Sequence, residues 1–242
     1  MDHRDDRRHE RLRGQPAPGT YSLSQVKPED VGLIRILQPE TPSSFRLICF
    51  PESTDSTAYY LSLSELLLPT VEVLVVQYPP DIAADQEEQL ADSPELADRI
   101  HEALGEWTDR PVALFGHRAS AALAYRVAER LERESDSAVL TLFVSGSSPQ
   151  RDPDRRGTPL GPPVLGCRIV ALAGERDPRT PLQGVRAWRR CTRGRFDLEV
   201  FPGARGYLDS SRREVVNLVH DQLLSQSTLD AEWEIGADDK GA

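Results

Sequence analysis

Six short apolar runs rich in β-branched residues punctuate the chain: FRLICF (45–50), VEVLVVQY (71–78), PVALFG (111–116), AVLTLFVSG (138–146), CRIVALAG (167–174) and FDLEVF (196–201). Several are apolar at nearly every position rather than at every second one, the pattern of strands covered on both faces of a parallel sheet. Between them, 57–67, 94–107, 119–133, 180–192 and 210–226 read as helices; in the last, Val215, Val219 and Leu223 recur every four residues and Val216 joins them on one face. Strands alternating with helices predict an α/β fold, one doubly wound and mostly parallel sheet. One stretch breaks the rhythm. From Pro149 to Gly166, five prolines and three glycines in 18 residues exclude a helix of normal length.

The ends differ from the middle. Residues 1–30 mix both charge signs with few apolar positions, and 227–242 (STLDAEWEIGADDKGA) is acidic and unpatterned, so both read as flexible tails around a domain at 31–226. No window approaches the roughly 18 consecutive apolar residues of a membrane span, and the first residues lack the apolar core of a signal peptide, which predicts a cytoplasmic protein without membrane contact. The net charge of -10 argues against a nucleic-acid binder. Cys49, Cys167 and Cys191 are widely spaced and form no CxxC pair, so neither a disulfide framework nor a zinc site follows, and no metal or cofactor is expected.

In an α/β sheet chemistry collects where strands end and loops begin. PVALFG runs directly into His117-Arg118-Ala119-Ser120, then a helix, which is the strand–turn–helix context of the nucleophile elbow GxSxG. In that elbow the serine sits above the sheet, and the amide of the following residue forms half of an oxyanion hole.

The run LFGHRASAALAYRVAERLE resembles the elbow and following helix of type II thioesterases, the stand-alone editing hydrolases of polyketide and nonribosomal peptide assembly lines. Other blocks resemble the same family in order. They are LICFPESTDSTAYYLSLSELLLPTVEVLVVQYP for the first strand, oxyanion loop, helix and second strand, FVSGSSP before the lid, ALAGERDPRTPLQGVRAW for the acid-bearing loop, and FDLEVFPGARGYLDSSRREVVNLV for the histidine-bearing loop and last helix. The resemblance spans roughly residues 30–226 and implies an α/β-hydrolase-like fold.

At the positions that carry the family's chemistry the chain departs. Arg118 stands at the serine position, and a guanidinium that stays protonated is no acyl nucleophile. Arg205 stands where the resemblance implies the histidine base, and the oxyanion loop reads Phe50-Pro51-Glu52 with no glycine pair. Of the triad only the acid matches, as Asp177. The family's helical lid is replaced by the Pro/Gly-rich linker at 150–166, which predicts an open groove.

No other residue offers itself as a replacement. Ser120, two places after the elbow, reads as a packing residue; His117 reads as structural; His220 reads as a solvated helix residue. The fold that the resemblance implies makes Glu52, Arg118, Asp177 and Arg205 converge on one pocket mouth, with Arg118 or Arg205 paired fork-on-fork with Asp177. Glu52, Arg118, Ala119 and Arg205 are then the candidate binding residues. The leading expectation is a thioesterase-like accessory or binding protein of antibiotic biosynthesis without serine-hydrolase activity, its partner a carrier-protein domain or an anionic small-molecule intermediate. The alternative is a non-hydrolytic isomerase, epimerase or cyclase on the same scaffold, with Glu52 or Asp177 as base.

Overall fold

The computed structural model of the chain describes residues 33–37, 42–52, 57–78, 93–134, 139–149 and 165–238, with backbone alone at 57 and from 226 onward. In chain order the elements are β1 (Ile34–Ile36), β2 (Phe45–Phe50), α1 (Thr57–Leu67), β3 (Val71–Val76), α2 (Pro94–Leu104), β4 (Val112–His117), α3 (Ser120–Glu134), β5 (Val139–Ser145), β6 (Arg168–Gly174), α4 (Leu182–Arg186), β7 (Phe196–Phe201), α5 (Tyr207–Ser210) and α6 (Arg212–Asp238). The strands form one sheet in the order β1-β3-β2-β4-β5-β6-β7. All neighbours are parallel except β1, which lies antiparallel on the β3 edge.

Every residue of β2, β3 and β6 is buried, as their unbroken apolar character requires. Successive side chains point to opposite faces, so each strand feeds two cores. Ile48, Leu74, Leu114, Val144 and Ala171 face α2, α3 and Trp188, while Leu47, Cys49, Val73, Phe115 and Leu172 face Tyr60 and Leu63 of α1 and Val215, Val219 and Leu223 of α6. Each large apolar side chain so covered contributes about 1.5–3 kcal/mol of transfer free energy. Helix α3 approaches β4 closely because Gly116 carries no side chain; a Cβ there would lie 2.5 Å from the Cα of Ala121.

Three predicted helices differ from the sequence reading. The predicted helices at 94–107 and 180–192 tighten into 3₁₀ turns at Gly105–Trp107 and Ala187–Cys191. Helix α6 runs past the expected boundary at 226 to Asp238, since no proline interrupts that segment and Gly236 is its only glycine. The N-terminal tail at 1–30 and all but the last two residues of the linker at 150–166 lie outside the described residues.

The strand order places the site. From β2 the chain moves outward to β3, then crosses back to β4 on the other side of β2. The loops leaving β2 and β4 therefore diverge, and a crevice opens between their carboxyl ends, at Glu52 on one side and His117-Arg118 on the other.

Candidate functional site

Arg118 occupies the turn between β4 and α3 with φ of 57°, and among the described residues it is the only non-glycine in the left-handed region. That conformation costs an L-residue about 1–2 kcal/mol and persists only where neighbours impose it. Here the Arg118 N–H donates to the Ser145 carbonyl at 2.8 Å, and the Arg118 carbonyl accepts from Ala121 N–H at 3.2 Å. Ser120 fixes the turn from below. Its hydroxyl lies 2.7 Å from the Phe50 carbonyl and 2.6 Å from the His117 carbonyl, and it accepts the His117 N–H at 3.2 Å. Completely buried, it ties the end of β2 to the elbow and does not line the pocket.

The Arg118 side chain turns inward. Nη1 donates to Asp177 Oδ2 at 2.6 Å and to the Gly146 carbonyl at 3.2 Å, and Nη2 donates to the Arg205 carbonyl at 3.4 Å. Both side chains of the ion pair are nearly closed to solvent, at 7% and 1% exposure. The contact is through one nitrogen and one oxygen rather than fork-on-fork, because Asp177 Oδ1 already accepts the Arg179 N–H at 3.0 Å. The pair closes the space behind the elbow.

In front of the elbow lies a cavity of about 460 Å³ lined by Glu52, Ala58, Tyr59, Tyr60, His117, Arg118, Arg205, Gly206, Leu208 and Asp209. His117 contributes an imidazole held by a chain of hydroxyls: Nδ1 is 3.0 Å from Ser145 Oγ, which is 2.6 Å from Tyr207 Oη, which donates to the Leu172 carbonyl at 3.0 Å. The Leu172 carbonyl also accepts the Gly146 N–H at 2.9 Å, and either hydroxyl of the Ser145–Tyr207 contact can be its donor, so the chain orients the ring with its Nε2 toward Glu52. Burial, with the Arg118 charge beside it, pushes the imidazole pKa down to about 3, so the ring is neutral at physiological pH. Glu52 Oε2 stands 3.8 Å from that Nε2, and Glu52 Oε1 stands 3.9 Å from Arg205 Nη2, both beyond hydrogen-bond reach.

Of the residues singled out in the sequence, the structure brings Glu52, Arg118 and Arg205 to the pocket wall. Asp177 stands behind Arg118 and does not line the cavity, and Ala119 sits half-buried in the turn outside the lining. His117, read as structural, faces the cavity through Nε2. Ser145, Gly146, Thr180 and Tyr207 went unremarked in sequence: Thr180 Oγ1 donates to the Gly146 carbonyl at 3.0 Å beside the Arg118–Asp177 pair. Tyr207 is 62 residues from Ser145 and carries no local signal of the pairing. Among the described residues, no group of three or more His, Cys, Asp or Glu gathers as a metal would need, and no helix is long and apolar enough to cross a membrane.

Comparison with known proteins adds an independent line. The model of the thioesterase domain matches residues 45–162. The thioesterase PikA5 of Streptomyces venezuelae is 32% identical over 81% of this chain and 87% of its own, and a probable cadicidin biosynthesis thioesterase of Streptomyces griseus is 29% identical over 77% and 66%. Among solved structures, the type II thioesterase BorB from the borrelidin biosynthetic cluster superposes with a TM-score of 0.67 at 28% identity, covering 79% of this chain and 97% of its own.

Proposed function

The chain belongs to the thioesterase family, and from that footing we propose that it has lost thioester hydrolysis and serves polyketide or nonribosomal peptide biosynthesis as a binding protein. One observation carries the reading: the elbow position holds Arg118, whose guanidinium is buried against Asp177 at 2.6 Å. The acid that would orient a base is thereby committed to an arginine, the base position is itself Arg205, and the Ser120 hydroxyl is completely buried against the Phe50 and His117 carbonyls. No group on the described wall of the pocket is an activated nucleophile.

The partner in this reading is a carrier-protein domain or the intermediate it delivers. Arg205, half-exposed at the pocket wall, is the cation available to a phosphate or carboxylate there, since Arg118 is turned away. In a non-hydrolytic reaction on the same scaffold Glu52 is the candidate base at the pocket wall, since Asp177 is held by Arg118. The deciding experiment is thiol release from acyl-N-acetylcysteamine and from acylated carrier protein at saturating protein. The expected result is release at the background rate, for the wild type and equally for Arg118→Ser, which lacks a base. Turnover that disappears on Ser120→Ala would overturn the reading.

A further inference from the structure

Away from the pocket, one stretch of the chain carries charge of a single sign. Arg186, Arg189, Arg190, Arg193 and Arg195 fall within ten residues, and from Pro178 to Phe196 there is no acid, in a chain whose net charge is -10. The fold turns this run into a surface. Val185, Trp188 and Cys191, three residues apart along α4 and the 3₁₀ turn after it, are buried, which matches the three-residue repeat of a 3₁₀ helix and leaves all five arginines exposed. The frame beneath them is fastened. Trp188 Nε1–H donates to the Ser147 carbonyl at 3.1 Å, Arg193 N–H donates to the Leu165 carbonyl at 2.9 Å, and the Thr192 hydroxyl donates to the Cys167 carbonyl at 2.6 Å while accepting the Gly194 N–H at 2.8 Å. Nothing from within neutralises the charge. Among the described residues Arg186, Arg189, Arg190 and Arg195 make no ion pair, although Arg189 spends one N–H on the Thr192 carbonyl; the Glu132 carboxylate on this side is taken by the Gly166 and Cys167 N–H groups.

We propose that this arginine face is a docking surface for the acidic, carboxylate-rich face of a partner protein. None of the five arginines lines the cavity at the elbow, so the inference stands whether or not the pocket has lost hydrolysis. A guanidinium offers paired N–H donors that match the two oxygens of a carboxylate. Arginines without internal partners give up no ion pair on meeting such a face, and a fastened backbone lowers the cost of ordering it. Other polyanions fit less well. Single-stranded RNA is held by exposed aromatic rings as well as by charge, and Trp188, the aromatic ring within the patch, is fully buried. A membrane surface calls for apolar side chains to insert, and among the described residues the exposed large ones, Leu61, Leu66, Val200 and Leu224, all lie outside 178–196. A long polyanion would also run off so short a patch onto an acidic body, whereas a compact protein face would not.

The probe is a fluorescein-labelled poly-L-glutamate peptide, titrated with the full chain at neutral pH and read by anisotropy. Oligouridylate RNA and phosphatidylserine vesicles, compared per anionic group, are the competing classes. The peptide should bind more tightly than either, with an affinity that falls as salt rises. Arg186→Gln, Arg190→Gln and Arg195→Gln together should weaken it about tenfold or more, as the loss of three exposed charge pairs implies. Arg35→Gln, Arg99→Gln and Arg213→Gln together change the net charge equally at exposed arginines elsewhere, and should weaken it by less than about threefold. Chemical-shift perturbation of the wild type by the peptide should cluster at residues 186–195, a reading that does not depend on the variants folding. A peptide that fails to bind, equal losses in the two triple variants, perturbations centred elsewhere, or tighter binding of the RNA or the vesicles would each overturn the inference.

Discussion

Gly146 and Arg118 fit one another: a Cβ built on Gly146 would lie 3.1 Å from Arg118 Cζ, and the glycine backbone sits at φ of +54°. Two features of one residue thus make room for the guanidinium on its way to Asp177. Gly146→Ala should cost about 1–3 kcal/mol, from the left-handed backbone and from displacement of the side chain. Urea unfolding would measure it. In an Arg118→Ala background the steric part should vanish, so the two changes should fall short of additivity. Strict additivity would mean that the glycine is needed for its φ alone.

The Arg118–Asp177 pair gives a sharper expectation. Removing one member of a buried ion pair leaves the other charge desolvated, which typically costs about 3–5 kcal/mol. Asp177→Ala should therefore lower the unfolding free energy by about that much, and Arg118→Ala combined with it should recover part of the loss. If Asp177→Ala leaves the midpoint where it was, the guanidinium finds water or another acceptor and the pair is not a structural plug.

Legibility followed distance along the chain. β2, α1 and β7 stand at the residues where the apolar runs put them, and the elbow stands at Arg118, because strand, turn and helix are contiguous signals. β1 escaped notice: three residues, Ile34–Ile36, give no periodicity to read, and their partner Val76 is far along the chain. The convergence of Glu52, Arg118 and Arg205 followed from the family resemblance. The direction of Arg118 did not, since inward or outward depends on φ at one residue and on a missing Cβ at Gly146. Nor did the exposure of His117 Nε2, which depends on a hydrogen-bond chain joining residues 117, 145, 172 and 207.

Tyr59 offers a test on the opposite wall. Its hydroxyl is buried with no hydrogen-bond partner among the described residues, while its ring lines the cavity beneath the Arg212 guanidinium at 5.6 Å. Burial first, and then the neighbouring Cys49, Asp209 and Tyr207, push the phenol's pKa well up against the opposing pull of Arg212. A hydroxyl left unpaired contributes nothing to offset its desolvation, so Tyr59→Phe should be neutral or stabilising by up to about 1–3 kcal/mol. A melting midpoint that falls instead would show that the hydroxyl bonds to something in the native protein.

The last prediction concerns pH. His117 lies against Glu52, Arg118, Asp177 and Arg205, with Ser145 and Tyr207 beyond its Nδ1, and its imidazole pKa is lowered from 6.5 to about 3, chiefly by burial and then by Arg118. A lowered pKa on a base means that the unfolded chain binds the proton more readily than the folded one. The penalty is absent above the unfolded value and grows as pH falls from about 6.5 toward 3, by about 1.4 kcal/mol per pH unit for one proton. Stability should therefore decline by about 2 kcal/mol between pH 6.5 and 5 through this residue alone, before most carboxylates titrate. His117→Asn keeps a donor toward Ser145 but cannot take up the proton, so it should flatten the slope across that window even if it lowers the absolute stability. Chemical unfolding at a series of pH values reads the slope directly. If both proteins lose stability in parallel between pH 6.5 and 5, the folded chain does not hold the His117 imidazole below its ordinary proton affinity.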